Sequence, residues 1–316
     1  MKTSFAYPVG FLTPVFLVLI FGIPLQFAVF PVLMAPTWSA KAALLLLLPF
    51  VFSLAFVGVS AALSWPFQRH IVPGKFPRLL SDKVYGPRRL YGLCWCAVYY
   101  FTPLYYLLFS VPSLRKFLLR AFGYRGHDEV TIAPDVWLRD LPLLRFDRGS
   151  YVANKATVGT NICLADGSIL VGPVTLGANA LVGHMTMLAP GCQIGERTEI
   201  GVGCGIGIRA EIGAETRIGP TSTVNHGARI GAKVDVGTFS YLGVKCEIAD
   251  GLHLPSGSNI PEGAKIATQA EVREYVSSES RNFRAESDQL RGLYTRRRSD
   301  DHRMEEAPDG TSSKRE

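Results

Sequence analysis

The chain is expected to be an all-β solenoid, a parallel β-helix, preceded by an α-helical transmembrane region. Three observations predict this. Twenty positions spaced six residues apart, from Val152 to Ile266, are all Val, Leu or Ile. The residue four places after each is mostly small, as at Ala156, Thr186, Cys192, Cys204, Ser222 and Ala264. Two long apolar stretches, residues 9–34 and 40–65, precede the repeat and contain no Asp, Glu or Arg. A period of six is neither helical nor a plain alternation; it is the period of β-helix solenoids.

The first 125 residues read as a membrane domain. Each apolar stretch suffices to cross ~30 Å of hydrocarbon. Only Lys2 precedes the first stretch, so it reads as a retained anchor rather than a cleaved leader. The segment after the second stretch carries Arg69, Lys75, Arg78, Lys83, Arg88 and Arg89 against Asp82 alone. Basic residues mark the cytoplasmic side. A multi-pass membrane protein with its solenoid in the cytoplasm is therefore expected. A third uncharged stretch, residues 91–112, holds Trp95 and five tyrosines and is flanked by basic residues at both ends. That fits a re-entrant or interfacial segment kinked near Pro103. A third full crossing is the alternative.

Residues 126–267 form the expected solenoid, with about six coils of three hexads each and no break in register. The aliphatic residue points into a narrow prism, and the small residue sits near the corner. Eleven of the twenty aliphatics are followed by Gly, which is expected to accept a positive φ there. Beyond the repeat, a polar helix is expected over residues 268–295 and a disordered tail over 296–316. The six cysteines lack zinc-ribbon spacing, and three of them, Cys192, Cys204 and Cys246, fall at the small inward place, which predicts buried free thiols. The net charge of +7 comes largely from the membrane flanks and the tail, which suits attraction to anionic lipid. No aromatic residues interleave with a basic face, so nucleic acid is not an expected partner.

The run LGANALVGHMTMLAPGCQIGERTEIGVGCGIG resembles the left-handed parallel β-helix of hexapeptide acyltransferases. The resemblance implies left-handed coils, a homotrimer and transfer of an acyl group from a thioester to an amine or hydroxyl. It implies no bound cofactor: acyl-CoA, or a phosphopantetheine thioester on an acyl or peptidyl carrier protein, is the donor substrate. YVANKATVG and VGPVTLG, behind a hydrophobic hairpin and an aromatic segment, resemble the membrane-embedded terminal domains of polylysine-synthetase-type nonribosomal peptide synthetases. That narrower likeness implies an aminoacyl thioester.

Such chemistry needs a proton acceptor and donors for the developing oxyanion. His184 and His226 both stand two places after an inward aliphatic, which puts them outside at coil corners. VNHGARIG resembles the place where hexapeptide acyltransferases carry their catalytic His, which implies His226 as general base. His184 is the second candidate. Asn225 is a candidate donor, and Asn161 and Asp166 are candidates for orienting substrate. VGHMTMLAPGC resembles the His-bearing repeat of γ-class carbonic anhydrases, but Ala189 stands where their second zinc-binding His belongs. No metal site is expected. The plainer reading is that a corner His needs no function and that Asn225 replaces Gly in a left-handed turn. The leading expectation is a membrane-anchored acyltransferase that works beside membrane lipid. Its rival is a non-catalytic scaffold within a membrane complex.

Overall fold

The structure, a computed structural model, describes residues 9–275. It opens with two antiparallel apolar helices, α1 (Val9–Met34) and α2 (Trp38–Gln68). The Thr37 side chain caps α2 by accepting the Ala40 N–H at 3.2 Å. Pro14, Pro24 and Pro31 lie within α1, each removing a backbone donor. Apolar side chains cover the outside of both helices: Phe11 is 70% exposed and Leu46 77%. Both helices are long and apolar enough to cross a membrane.

The aromatic stretch forms α3 (Tyr85–Tyr100) and α4 (Thr102–Ser110), which meet at 83° beside Pro103. A helix, α5 (Pro112–Ala121), follows. α3 is clamped against the solenoid rather than standing clear of it. Trp95 Nε1 donates to the Leu138 carbonyl at 2.8 Å, and the Tyr91 hydroxyl donates to that of Phe122 at 2.9 Å. Arg88 and Asp140, both buried, form an ion pair beneath them. Thr160 Oγ1 and Asn161 Nδ2 donate to the same Asp140 oxygen at 2.7 and 3.1 Å.

The solenoid consists of three parallel sheets of seven strands each. Its first face stacks the strands of Ile132, Val152, Val182, Ile200, Ile218, Val236 and Leu254. The second runs from Leu138 to Ile260, and the third from Phe146 to Ile266. These aliphatics are almost wholly buried, and so are the small residues behind them. Thr186, Thr198 and Thr216 are inward because each hydroxyl donates to a glycine carbonyl of the next rung at 2.6–2.7 Å. A buried hydroxyl with a partner carries little penalty.

Five details depart from expectation. Most strands have only two residues, such as Leu181–Val182, rather than the half-dozen or so of a common short strand, because the prism turns every six residues. Each face has seven strands rather than about six, since residues 131–146 supply a first rung. That rung was out of phase because eight residues separate Leu138 from Phe146, with a 3-10 turn at Leu141–Leu143 between them. The register is also interrupted. Strands Asn161–Cys163 and Ser168–Val171 leave the prism as an antiparallel hairpin, and Gly74–Pro77 adds a third strand. Val158 and Leu176 lie on successive faces eighteen residues apart where six are normal, so the excursion is twelve residues. Ile169 and Val171 are buried there, whereas Leu164 and Leu170 are only half-buried.

The glycines after the aliphatics are the fifth correction. The positive φ lies two places later and mostly belongs to other residues, including Met185, Arg209, Thr221 and Phe239. Asn225 likewise is not left-handed; Gly227 is, at φ 67°. The first-place glycines are needed for close approach. A Cβ on Gly213 would stand 2.5 Å from the Ala232 nitrogen and the Gly231 carbonyl carbon. The polar helix expected over residues 268–295 is described only for α6 (Gln269–Val272) and a 3-10 turn ending at Tyr275. The rest of it, and the tail, lie outside the described residues.

Candidate functional site

Along the second face the outward side chains stack as Trp137, Thr157, Met187, Gly205, Thr223 and Tyr241. Gly205 leaves a notch between Met187 and Thr223. Asn161 and Ile162 of the hairpin line this notch together with Asn225 and His226 at the corner toward the third face. The result is a concavity of about 310 Å³ that gathers Asn161, Ile162, Met187, Gly205, Thr223, Asn225 and His226. Three of the five residues expected at the site therefore meet.

His226 is exposed but held. Its Nδ1 accepts the Ile208 N–H of the rung below at 2.9 Å. Gly207 permits this, since a Cβ there would lie 2.8 Å from that nitrogen. With Nδ1 committed as acceptor, the neutral ring carries its proton on Nε2. The outer nitrogen is then a hydrogen-bond donor, whereas a general base would present a lone pair. Asn225 is half-buried, with one Nδ2 proton on the Leu242 carbonyl at 3.1 Å. Its other amide proton and Oδ1 face no partner among the described residues. Asn161 is tied by Nδ2 to Asp140.

The other two candidates lie elsewhere. His184 is exposed on the corner between the first and second faces, outside the concavity. Its carbonyl accepts the Gly203 N–H. Asp166 sits in the hairpin turn and bonds Lys75 Nζ at 2.6 Å. Hydrogen bonds from Lys75 and Ser168 hold its carboxyl well below the usual carboxylate range. It fastens the hairpin to strand Gly74–Pro77.

One pairing escaped the sequence reading. His253 Nδ1 lies 3.0 Å from Asp235 Oδ2, one rung below on the first face. Gln269 of α6 brackets His253, accepting from its N–H and donating to its carbonyl. The signal was available, because residues eighteen apart stack in this fold. Among the described residues no three His, Cys, Asp or Glu side chains converge as a metal site.

No protein-family model matches the chain, and no curated protein sequence matches it. Solved structures align with part of the chain at low identity. A hexapeptide transferase family protein from Anaplasma phagocytophilum is 19% identical over 46% of this chain and 91% of its own, with a TM-score of 0.33. A maltose O-acetyltransferase from Clostridium difficile 630 is 16% identical over 44% of this chain and 84% of its own, with a TM-score of 0.34. Perosamine N-acetyltransferase from Caulobacter crescentus, in complex with CoA and GDP-perosamine, is 15% identical over 48% of this chain, with a TM-score of 0.21; the match spans only 60% of that enzyme.

Proposed function

We propose that the protein is a membrane-anchored acyltransferase whose reaction occurs in the concavity at His226. The observation that carries this reading is the meeting of His226 and Asn225 beside the Gly205 notch, with the notch open along the second face. A thioester lying in the notch presents its carbonyl oxygen to His226 Nε2–H and the unpaired Asn225 Nδ2–H. Both donors oppose the charge that develops as a nucleophile attacks. The carbon–sulfur bond then breaks, the thiolate leaves, and the proton lost by the nucleophile reaches it through water.

That arrangement favours an amine over a hydroxyl. An unprotonated amine attacks without prior deprotonation, whereas a hydroxyl needs a base that the fixed His226 does not supply. The donor is acyl-CoA or a carrier-bound phosphopantetheine thioester. α1 and α2 cross the bilayer, the basic segment after α2 keeps the solenoid in the cytoplasm, and a homotrimer is the assembly.

The test is thioester consumption by the full chain in nanodiscs, supplied with acyl-CoA and a panel of amines. His226→Ala is expected to lower turnover roughly 10²–10³-fold, the usual cost of one oxyanion donor. His226→Gln, which keeps a donor, is expected to retain more activity than His226→Ala. His184→Ala is expected to match the parent. Equal loss in the Gln and Ala variants would restore the base role to His226. No loss in either would favour the scaffold.

A further inference from the structure

A second pocket, of about 290 Å³, adjoins the concavity and is lined by Pro73, Gly74, Leu170, Pro190, Gly191 and Arg209 among others. Pro190 borders both. Arg209 provides its only charged side chain. The guanidinium forms no ion pair or hydrogen bond among the described residues, although the other three solenoid arginines from Arg197 to Arg229 are each bridged to a glutamate. Arg209 is also held where arginine is disfavoured, at φ 55°. On this corner the same place is Gly191 one rung below and Gly227 one rung above. Gly191 makes room for it: a Cβ there would be 2.9 Å from Arg209 Cγ, so the stem lies across the bare backbone.

The remaining walls are Pro, Gly, Leu and Val. One of them, the strand Gly74–Pro77, begins six residues after α2 ends at Gln68. An exposed, unpaired guanidinium at the rim of an apolar pocket, at the foot of a long apolar helix, matches an anionic head joined to an acyl chain. Arginine presents a fork that fits phosphate oxygens.

We propose that this pocket seats the phosphate group of an anionic amphiphile, a membrane phospholipid, beside the His226 concavity. The proposal stands on the pocket alone and requires no turnover, so it survives or fails independently of the acyl-transfer reading.

The probe is dioleoyl phosphatidic acid, titrated into the delipidated full chain in neutral detergent and read by native mass spectrometry. Dioleoyl phosphatidylcholine and inorganic phosphate are the comparison ligands. One phosphatidic acid is expected to bind at least tenfold more tightly than either. Arg209→Gln is expected to lose that preference, while Lys233→Gln, which removes a cation from another corner, keeps it. Melting temperature confirms that both variants are folded. Equal binding by the Arg209→Gln variant would overturn the proposal, as would no binding by the parent chain. Phosphate binding as tightly as the lipid would overturn the amphiphile and leave a free-anion site in its place.

Discussion

Replacing Gly213 by Ala tests why this repeat needs its glycines. The added Cβ would sit 2.5 Å from the backbone at Gly231 and Ala232, closer than real Cβ contacts come. The obstacle is main chain, so no side chain can swing aside, and the rung must separate from its neighbour. Overpacking of this kind costs about 1–3 kcal/mol. It outweighs the ~0.4–1 kcal/mol that Ala contributes by restricting the unfolded chain. For a unit of this size the Tm should fall by about 3–10 °C. Gly203→Asn is the matched comparison. Gly203 has φ 67° but nothing within 4 Å of its Cβ position. Asn tolerates that conformation, and Met185 and Thr221 adopt it at the same place one rung below and above. Its Tm should shift by no more than ~2 °C. Thermal unfolding of the full chain in detergent, followed by circular dichroism, reads both. An unchanged Tm for Gly213→Ala, or an equal loss for Gly203→Asn, would refute close approach as the reason for these glycines.

The hairpin offers a second contrast. Ile169→Ala should cost about 2–4 kcal/mol by emptying a buried site, and Leu170→Ala roughly half of that or less, as chemical denaturation would show. The opposite order would mean that the hexad register runs through the hairpin after all. Thiol labelling at pH 7.5 should modify exposed Cys163 and spare Cys192, whose pKa burial pushes up to about 12; rapid labelling of Cys192 in folded protein would contradict its inward placement. Asp166 has its folded pKa depressed by Lys75, so its contribution is complete above the unfolded value of ~3.9 and is lost as pH falls through the lower folded value. Hydrogen-exchange protection at Ser168, corrected for intrinsic rates, should hold at pH 5–8 and drop below about pH 4. Asp166→Asn should remove that dependence, and a flat profile in the parent chain would sink the argument.

The solenoid and the two apolar helices were legible because each repeats one physical demand many times over. The hairpin was hidden by arithmetic: its twelve extra residues equal two hexads, so Leu164 and Leu170 stay in phase while facing the wrong way. The first rung was hidden by the eight-residue step from Leu138 to Phe146. Asn161 was singled out for substrate, but its tie to Asp140 spans twenty residues and more and follows no repeat. The concavity depends on that hairpin, so although His226, Asn225 and Asn161 were each singled out, only the solenoid half had a shape that the repeat could give. His226's proton placement was out of reach, since it depends on the Ile208 N–H one rung away. The Asp235–His253 pair needed only the eighteen-residue stacking rule.

Acyl transfer at the His226 concavity is read by following thiol and amide together. The full chain in nanodiscs is given acyl-CoA and carrier-bound aminoacyl thioesters with amine acceptors, and released thiol is quantified beside the amide product. Stoichiometric thiol and amide are expected from the parent chain, with both falling together at least ~10²-fold in His226→Ala while the variant keeps the parent Tm. Thioester left intact by the parent chain with every donor and acceptor would contradict it and leave the solenoid as a scaffold.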